Sequence, residues 1–190
     1  MIKKEDWFTI PNILSYTRIL MIPLYLYLYL KANDPRDYYK AAGVLILSGV
    51  TDALDGIIAR ETGQITDLGK IIDPLADKLT QVAVIGAMTI KLPYVLPLLI
   101  LFVLKELYLL INNLLLMRKN IVLDGAMWFG KLATFVFYLC MFVLIIFPTI
   151  SKERGIFFVA VTTIFQVISL LGYGHWFVSK YKEENLRKNM

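Results

Sequence analysis

The sequence predicts an all-α integral membrane protein with six transmembrane helices and a short N-terminal interfacial helix. Hydrophobic residues occupy 58% of the 190 positions, well above the share found in globular domains. Several apolar runs approach the about 20 residues that a helix needs to span the hydrocarbon core of a bilayer. No stretch has the composition of a second, soluble domain. We therefore expect a single membrane domain over residues 1–190.

The predicted helices follow the apolar runs in order. Trp7 and Phe8 mark an interfacial segment at residues 5–10, which Pro11 and Asn12 are expected to end. The spanning helices are expected at residues 13–30, 39–60, 69–90, 95–117, 129–147 and 156–178. The charged residues after 178 are expected to fray. An even number of spans puts both termini on one side, and the excess of lysine and arginine there places them in the cytoplasm.

Two pairs of aspartates at the ends of the second and third helices form the most informative pattern. Asp52 and Asp55 are spaced i,i+3, and Asp73 and Asp77 are spaced i,i+4, so on helices the members of each pair share a face. The helix ends that carry them lie on the same side of the membrane. Ionised carboxylates near hydrocarbon are costly and repel one another. Two divalent cations would balance the four charges.

Ligation by oxygen alone suits Mg²⁺ or Mn²⁺. A pair of such ions clamps phosphate oxygens and stabilises an attacking oxygen. The aspartates therefore indicate a membrane enzyme that acts on a phosphate ester or anhydride. The net charge of +5 fits an anionic membrane surface, and no basic cluster indicates nucleic acid as a partner.

The region around these aspartates resembles, without a gap, the full signature of the CDP-alcohol phosphatidyltransferases. It reads Asp52-x2-Asp55-Gly56-x2-Ala59-Arg60-x8-Gly69-x3-Asp73-x3-Asp77. The resemblance implies transfer of a phosphatidyl group from CDP-diacylglycerol to an alcohol, with release of CMP. It implies that the four aspartates hold two divalent cations, Mg²⁺ or Mn²⁺, and that Asp77 is also the general base. A homodimer is expected by similarity to the family.

The same resemblance assigns a nucleotide-binding set. Gly56 and Gly69 would let the nucleotide approach the backbone where a Cβ would intrude. Arg60 would pair with the diphosphate, and Ala59 and Asn12 complete the set. The opening over residues 10–18 is similar to that of phosphatidylglycerophosphate synthases and eukaryotic-type cardiolipin synthases. Its alternative interpretation is a helix start with an anchoring arginine.

The acceptor residues depart from the pattern of phosphatidylglycerophosphate synthases. Those enzymes typically have Arg-Glu in the fourth helix, where this chain has Lys105 and Glu106. A second arginine eight residues later is Asn113 here, and the second lysine of a Gly-Lys-x-Lys-Thr motif is absent after Lys131. Lysine lacks the bidentate geometry of arginine. Arg118 is a candidate to compensate, which gives Lys105, Arg118 and Lys131 as the predicted acceptor site.

Several functions remain open from the sequence. Glycerol 3-phosphate is the first predicted acceptor, which would give phosphatidylglycerophosphate. Phosphatidylglycerol, which would give cardiolipin, is the second, and an uncharged small alcohol is the third. A cation transporter would explain intramembrane carboxylates, but the aspartates concentrate at one face of the membrane. A catalytically inactive scaffold would have a damaged signature, and this one is intact.

Overall fold

A computed structural model describes residues 7–64, 66, 68–119, 121 and 127–188, without the side chains at 53, 60, 70, 185, 187 and 188. The described chain is almost entirely helical. Its six long helices are α1 (Ile10–Lys31), α2 (Pro35–Thr62), α3 (Gly69–Lys91), α4 (Leu96–Met117), α5 (Trp128–Ile146) and α6 (Lys152–Lys188). A short 3-10 turn, Pro93–Val95, precedes α4. The all-α prediction is confirmed, and each predicted span corresponds to one of these helices.

Most of the helical segments meet the requirements for crossing a bilayer. Five are long and apolar enough: Ile10–Lys31, Pro35–Ala59, Pro93–Met117, Trp128–Ile146 and Lys152–Glu184. Their outer faces carry large exposed apolar side chains, such as those of Leu20, Leu104 and Leu171, which are 61–72% exposed. Apolar surface on this scale needs a partner other than water, and lipid supplies it. The chain is a multi-pass membrane protein.

The beginning of α1 differs from the prediction. The helix starts at Ile10, with Pro11 in its first turn, where the missing N–H would have no intrahelical partner in any case. Pro11 and Asn12 therefore begin α1 and do not separate it from an interfacial helix. Trp7 and Phe8 are exposed, as an interfacial position requires, whereas residues 5 and 6 lie outside the described part of the chain.

The end of α6 also differs from the prediction. The helix continues to Lys188, so the expectation that the charged tail frays was wrong. Its charges are placed to support a helix, because Lys180 contacts Glu183 one turn later at 2.8 Å. Lys119, two residues after α4, forms an ion pair with Glu184. Charge pairing within and between helices thus adds to the packing of Tyr181 against the core.

The chain forms two compact units. The first extends to Pro93 and includes Phe142–Ile150, and the second comprises Tyr94–Met141 and the residues from Ser151 onward. In the first unit α1 packs against both α2 and α3. One face of α1 is buried along its whole length, with Tyr25 and Tyr29 at its C-terminal end. The assignment of the whole chain to a single domain stays a prediction.

The second unit has an aromatic core between α4, α5 and α6. Leu116, Tyr173 and Phe177 form its buried centre. The ring of Phe129 meets that of Tyr173 edge-on at a centroid distance of 4.9 Å. The Tyr173 hydroxyl accepts a hydrogen bond of 3.1 Å from the backbone N–H of Met127. This core fixes the start of α5 against the C-terminal half of α6.

Two helical glycines give a matched test of this packing. A Cβ at Gly172 would lie 2.8–3.0 Å from ring atoms of Phe129, whereas a Cβ at Gly86 would meet nothing within 4 Å. We expect Gly172→Ala to destabilise the protein by about 1–3 kcal/mol through overpacking. Gly86→Ala should be neutral or stabilise it by up to about 1 kcal/mol. Thermal unfolding in detergent measures both, and equal melting temperatures for the two variants would contradict this account of the core.

Candidate active site

The first turns of α1 bring three buried polar side chains into the first unit. Asn12, Ser15 and Arg18 are only 1%, 0% and 2% exposed. Their spacing of three residues places them on one face of the helix, the face that continues into the buried tyrosines. Buried polar groups need partners, and the structure supplies these from the ends of α2 and α3. The predicted aspartates are among them.

Arg18 bridges the first pair of signature aspartates. One guanidinium nitrogen lies 2.6 Å from Oδ1 of Asp52, and the other terminal nitrogen contacts Oδ2 of Asp55. The Asp55 side chain is buried, whereas that of Asp52 is 53% exposed. The arginine therefore offsets negative charge at the buried end of the pair, and Asp52 extends from it toward the outside of the unit.

The second pair is held by its own neighbours. The hydroxyl of Ser15 donates a hydrogen bond to Oδ1 of Asp73. The amide of Gln81 donates to Oδ2 of Asp77 at 2.8 Å, and Nζ of Lys78 lies 3.7 Å from the same oxygen. Each of these contacts fixes the orientation of a carboxylate before any substrate arrives.

All four carboxylates share one neighbourhood. Asp52 is close enough to Asp73 and Asp77 for their negative charges to interact with its own, and the same holds for Asp55 and Asp73. Like charges this close raise the free energy of the folded state unless cations compensate them. Arg18 supplies one positive charge directly, so the arrangement retains a strong preference for further cations.

The four aspartates offer only oxygen atoms as ligands, which suits a divalent cation such as Mg²⁺ or Mn²⁺. As they stand, no three histidine, cysteine, aspartate or glutamate side chains among the described residues are grouped closely enough to hold a metal ion. Arg18 and Ser15 are the partners that keep three of the carboxylates where they are. Metal binding by Asp52, Asp55, Asp73 and Asp77 stays a prediction.

A cavity of about 80 Å³ lies beside Asp73. Three of the five predicted nucleotide-binding residues line it: Asn12, Ala59 and Gly69. Gly56 is partly buried in α2. Arg60 belongs to the same helix, but its side chain lies outside the described part of the structure.

The wall of this cavity is organised by one hydroxyl. Thr66 Oγ1 accepts hydrogen bonds from the Asn12 side-chain amide at 3.1 Å and from the Gly69 backbone N–H at 2.9 Å. A Cβ on Gly69 would lie 2.7 Å from Oδ1 of Asn12 and 3.1 Å from Thr66 Oγ1. The absence of a side chain at Gly69 is thus what allows α1 to approach the start of α3.

The predicted acceptor cations occupy different environments in the second unit. Lys105 is 4% exposed, and its Nζ contacts Glu106 at 2.9 Å and Oε1 of Gln166 at 2.6 Å. Arg118 follows the end of α4 and is exposed, and Lys131 is exposed in the first turn of α5. Lys105 is therefore a neutralised, buried cation, while the other two face outward.

Sequence reasoning missed several of these partners. Ser15, Thr66, Gln81 and Gln166 were not assigned, and the ion pairs of Arg18 were not predicted. A signal was present for Ser15 and Arg18, because both interrupt an apolar run at the spacing of one helix face. Thr66 and Gln166 carried no comparable signal, since their partners are more than fifty residues away.

The ion pairs of Arg18 predict an asymmetry between two charge-removing variants. Arg18→Gln leaves Asp55 buried without its cation, which we expect to cost on the order of 3 kcal/mol. Lys40→Gln, the control, removes an exposed pair with Asp37, which is worth at most about 1 kcal/mol. Thermal unfolding in detergent gives the comparison. A melting temperature of Arg18→Gln within a degree or two of the control would contradict the role of Arg18.

Comparison with known proteins identifies the family of the chain. The family model of CDP-alcohol phosphatidyltransferase matches residues 8–172. A cardiolipin synthase (CMP-forming) of Streptomyces coelicolor is 40% identical over 67% of the chain and 60% of its own length. A probable phosphatidylglycerophosphate synthase of Mycobacterium tuberculosis is 35% identical over 66% of the chain and 60% of its own length.

A CDP-diacylglycerol–glycerol-3-phosphate 3-phosphatidyltransferase of Aquifex aeolicus is 42% identical over a shorter stretch, 36% of each chain. The matched segments thus cover about three fifths or less of these relatives. The family match, in contrast, runs from before α1 into α6 and includes every signature residue and all three buried polar residues of α1. The chain belongs to the CDP-alcohol phosphatidyltransferase family.

Proposed function

We propose that the protein transfers a phosphatidyl group from CDP-diacylglycerol to a hydroxyl of a glycerol-based acceptor and releases CMP. One observation carries the proposal: four signature carboxylates share one neighbourhood beside the cavity that Asn12, Ala59 and Gly69 line. Such a cluster of negative charge has no structural purpose in an apolar helix bundle, where ionisable groups are expensive. A cation-assisted reaction on a phosphate anhydride would give the cluster a function.

Asp52, Asp55, Asp73 and Asp77 would hold two divalent cations, Mg²⁺ or Mn²⁺. When bound, such ions neutralise the charge that develops on phosphate oxygens as the anhydride breaks. The chain's own residues prepare the carboxylates for this, because Arg18 orients the first pair and Ser15 orients Asp73. Arg60, Gly56 and the cavity residues are proposed to bind the CDP moiety.

The reaction forms one bond and breaks another. A primary hydroxyl oxygen of the acceptor bonds to the phosphorus that carries diacylglycerol, and the anhydride bond to CMP breaks. The hydroxyl proton passes to Asp77, which we assign as the general base. Gln81 and Lys78 both contact Oδ2 of Asp77, so these two residues help to orient the side chain.

Glycerol 3-phosphate is the first proposed acceptor, with Lys105, Arg118 and Lys131 as candidate contacts for it. Phosphatidylglycerol is the second, and one observation favours it. The charge of Lys105 is balanced by Glu106 at 2.9 Å, while Arg118 and Lys131 are exposed. A phosphate dianion is bound best by several cations, and the charge of Lys105 is already balanced by Glu106.

The orientation and assembly of the protein are also proposals. The distribution of lysine and arginine favours cytoplasmic termini. With that orientation the signature carboxylates face the cytoplasm. A homodimer in the membrane is proposed from the family resemblance.

The general base is tested by Asp77→Asn. Removing the proton acceptor should lower the rate of CMP release from CDP-diacylglycerol by at least about 100-fold. Because the amide keeps the shape of the side chain, binding of a CDP analogue should fall much less. Asp37→Asn is the control, since Asp37 lies in the first turn of α2 and pairs with Lys40 on an exposed surface. Turnover of Asp77→Asn within a few-fold of the control would rule out this role.

The metal ligands are tested by Asp52→Ala. Losing a carboxylate should weaken Mn²⁺ binding, measured by calorimetry or by electron paramagnetic resonance, together with activity. The same Asp37→Asn control should bind Mn²⁺ as the unmodified protein does. Unchanged Mn²⁺ affinity in Asp52→Ala would remove Asp52 from the ligand set.

A further inference from the structure

The cavity beside Asp73 has two lining residues to which the family signature gives no role. Gln64 and Thr66 both line it, and they lie in the eight-residue interval between Arg60 and Gly69, where the signature specifies no residue type. All of the residues that line this cavity belong to the first unit. A role for Gln64 and Thr66 therefore depends on their own contacts within that unit.

The end of α2 places Gln64 at this cavity. Gly63 directly follows the last residue of the helix and has a φ of 66°. This left-handed conformation is one that glycine adopts with little strain, and it commonly ends a helix. Gln64 is the next residue, so its side chain enters the cavity wall from the connection between α2 and α3.

The side chain of Gln64 has a hydrogen-bond acceptor to spare. Its Oε1 is buried and lacks a hydrogen-bond partner among the described residues. Thr66 differs, because its Oγ1 already accepts hydrogen bonds from the side-chain amide of Asn12 and the backbone N–H of Gly69. Buried polar atoms nearly always have a partner, and the terminal torsion of a glutamine side chain turns at low cost. A ligand in the cavity that carries a donor can therefore pair with Oε1 through a rotation of the amide.

The size and polarity of the cavity fit part of a nucleotide. One buried water needs about 10–15 Å³, whereas this cavity has about 80 Å³. Its lining combines the carboxylate of Asp73 with the neutral amides of Asn12 and Gln64. A matching ligand has a phosphate part suited to cation-assisted binding and an uncharged part that forms hydrogen bonds. A nucleotide has both, namely its phosphates and its nucleoside.

The chemistry of CDP-diacylglycerol identifies the part that can pair with Gln64. An amide oxygen only accepts hydrogen bonds, so its partner must carry an N–H or O–H group. The ionised phosphates of this substrate offer acceptors alone, and its diacylglycerol part contains esters and acyl chains without a donor. The donors of the substrate are the 4-amino group of cytosine and the two hydroxyls of the ribose. The partner of Oε1 therefore belongs to the cytidine part.

We propose that Gln64 binds the cytidine part of CDP-diacylglycerol, with its Oε1 accepting a hydrogen bond from the 4-amino group or from a ribose hydroxyl. The inference rests on the proposed function and deepens it, because it assigns recognition of the nucleoside to a residue between the signature positions. Gln64 is thus a specificity residue for the donor substrate.

The test compares CMP with three analogues that each lack one donor. Pyrimidin-2-one ribonucleoside 5′-monophosphate has hydrogen in place of the amino group, and 2′-deoxy-CMP and 3′-deoxy-CMP each lack one hydroxyl. Calorimetry on the purified protein in lipid–detergent micelles with Mn²⁺ gives a dissociation constant for each nucleotide. The analogue without the contacted donor should bind about 10-fold more weakly than CMP, as expected for the loss of one hydrogen bond.

Variants of Gln64 then assign the preference and identify the donor. The thioether of Gln64→Met is only a weak acceptor, so the preference for CMP over one of the analogues should fall to within about 2-fold. That analogue identifies the group that Gln64 contacts. Gln64→Glu keeps an acceptor oxygen and should retain the preference, because CMP and the analogues carry the same phosphate charge.

The control variant is Thr62→Val. It removes an exposed hydroxyl that donates to the carbonyl of Ile58 at 2.7 Å, two residues before Gln64. All four affinities should stay unchanged in this variant. Because each preference is a ratio of dissociation constants measured on one preparation, a misfolded fraction of a variant does not change it.

The outcomes separate this inference from the function on which it rests. If the protein neither binds CMP nor releases it from CDP-diacylglycerol, the proposed function itself is overturned. If CMP binds and every preference is unchanged in Gln64→Met, only the assignment of Gln64 is overturned. Equal affinity of the unmodified protein for CMP and all three analogues would also overturn the assignment, and it would leave phosphatidyl transfer standing.

Discussion

The ion pairs between Arg18 and the first two signature aspartates are the interaction on which the first unit depends. An arginine that is 2% exposed and a carboxylate that is 4% exposed are tolerated in an apolar bundle only because they meet. Removing one partner of a buried pair leaves the full desolvation penalty of the other. The pairing therefore constrains the rotation of α1 against α2.

This constraint explains why α1 both packs the first unit together and positions the residues of the candidate site. The buried face of α1 begins with Asn12 and Ser15, which hold Thr66 and Asp73, and ends with stacked tyrosines. At that far end, Lys91 of α3 donates to the carbonyl of Ala32, so charge also closes the C-terminus of α1. The apolar side chains in the middle of α1 contribute hydrophobic packing. The polar contacts at its two ends fix its position along the neighbouring helices. A signature on α2 and α3 thus acquires its geometry from a helix outside the signature.

The sequence was informative wherever short-range spacing decides the structure. Helix positions follow from apolar runs, and the shared faces of the aspartate pairs follow from their spacing. The sequence did not predict contacts that depend on packing between segments far apart in the chain. The ion pairs of Arg18 join residues 34 and 37 positions apart, and periodicity within one helix cannot select such partners. The tail of α6 was misjudged because composition alone was weighed, although its charges lie at the spacing that supports a helix.

The two polar clusters differ in charge. Around Asp52, Asp55, Asp73 and Asp77 the carboxylates outnumber the cations that the described side chains supply, so the cluster favours bound positive charge. Around Lys105 the charges balance, because its Nζ lies 2.9 Å from Glu106. An unbalanced group of charges is costly in an apolar bundle, whereas a balanced pair is tolerated. The excess of carboxylates is therefore the feature of the first unit that packing alone does not explain.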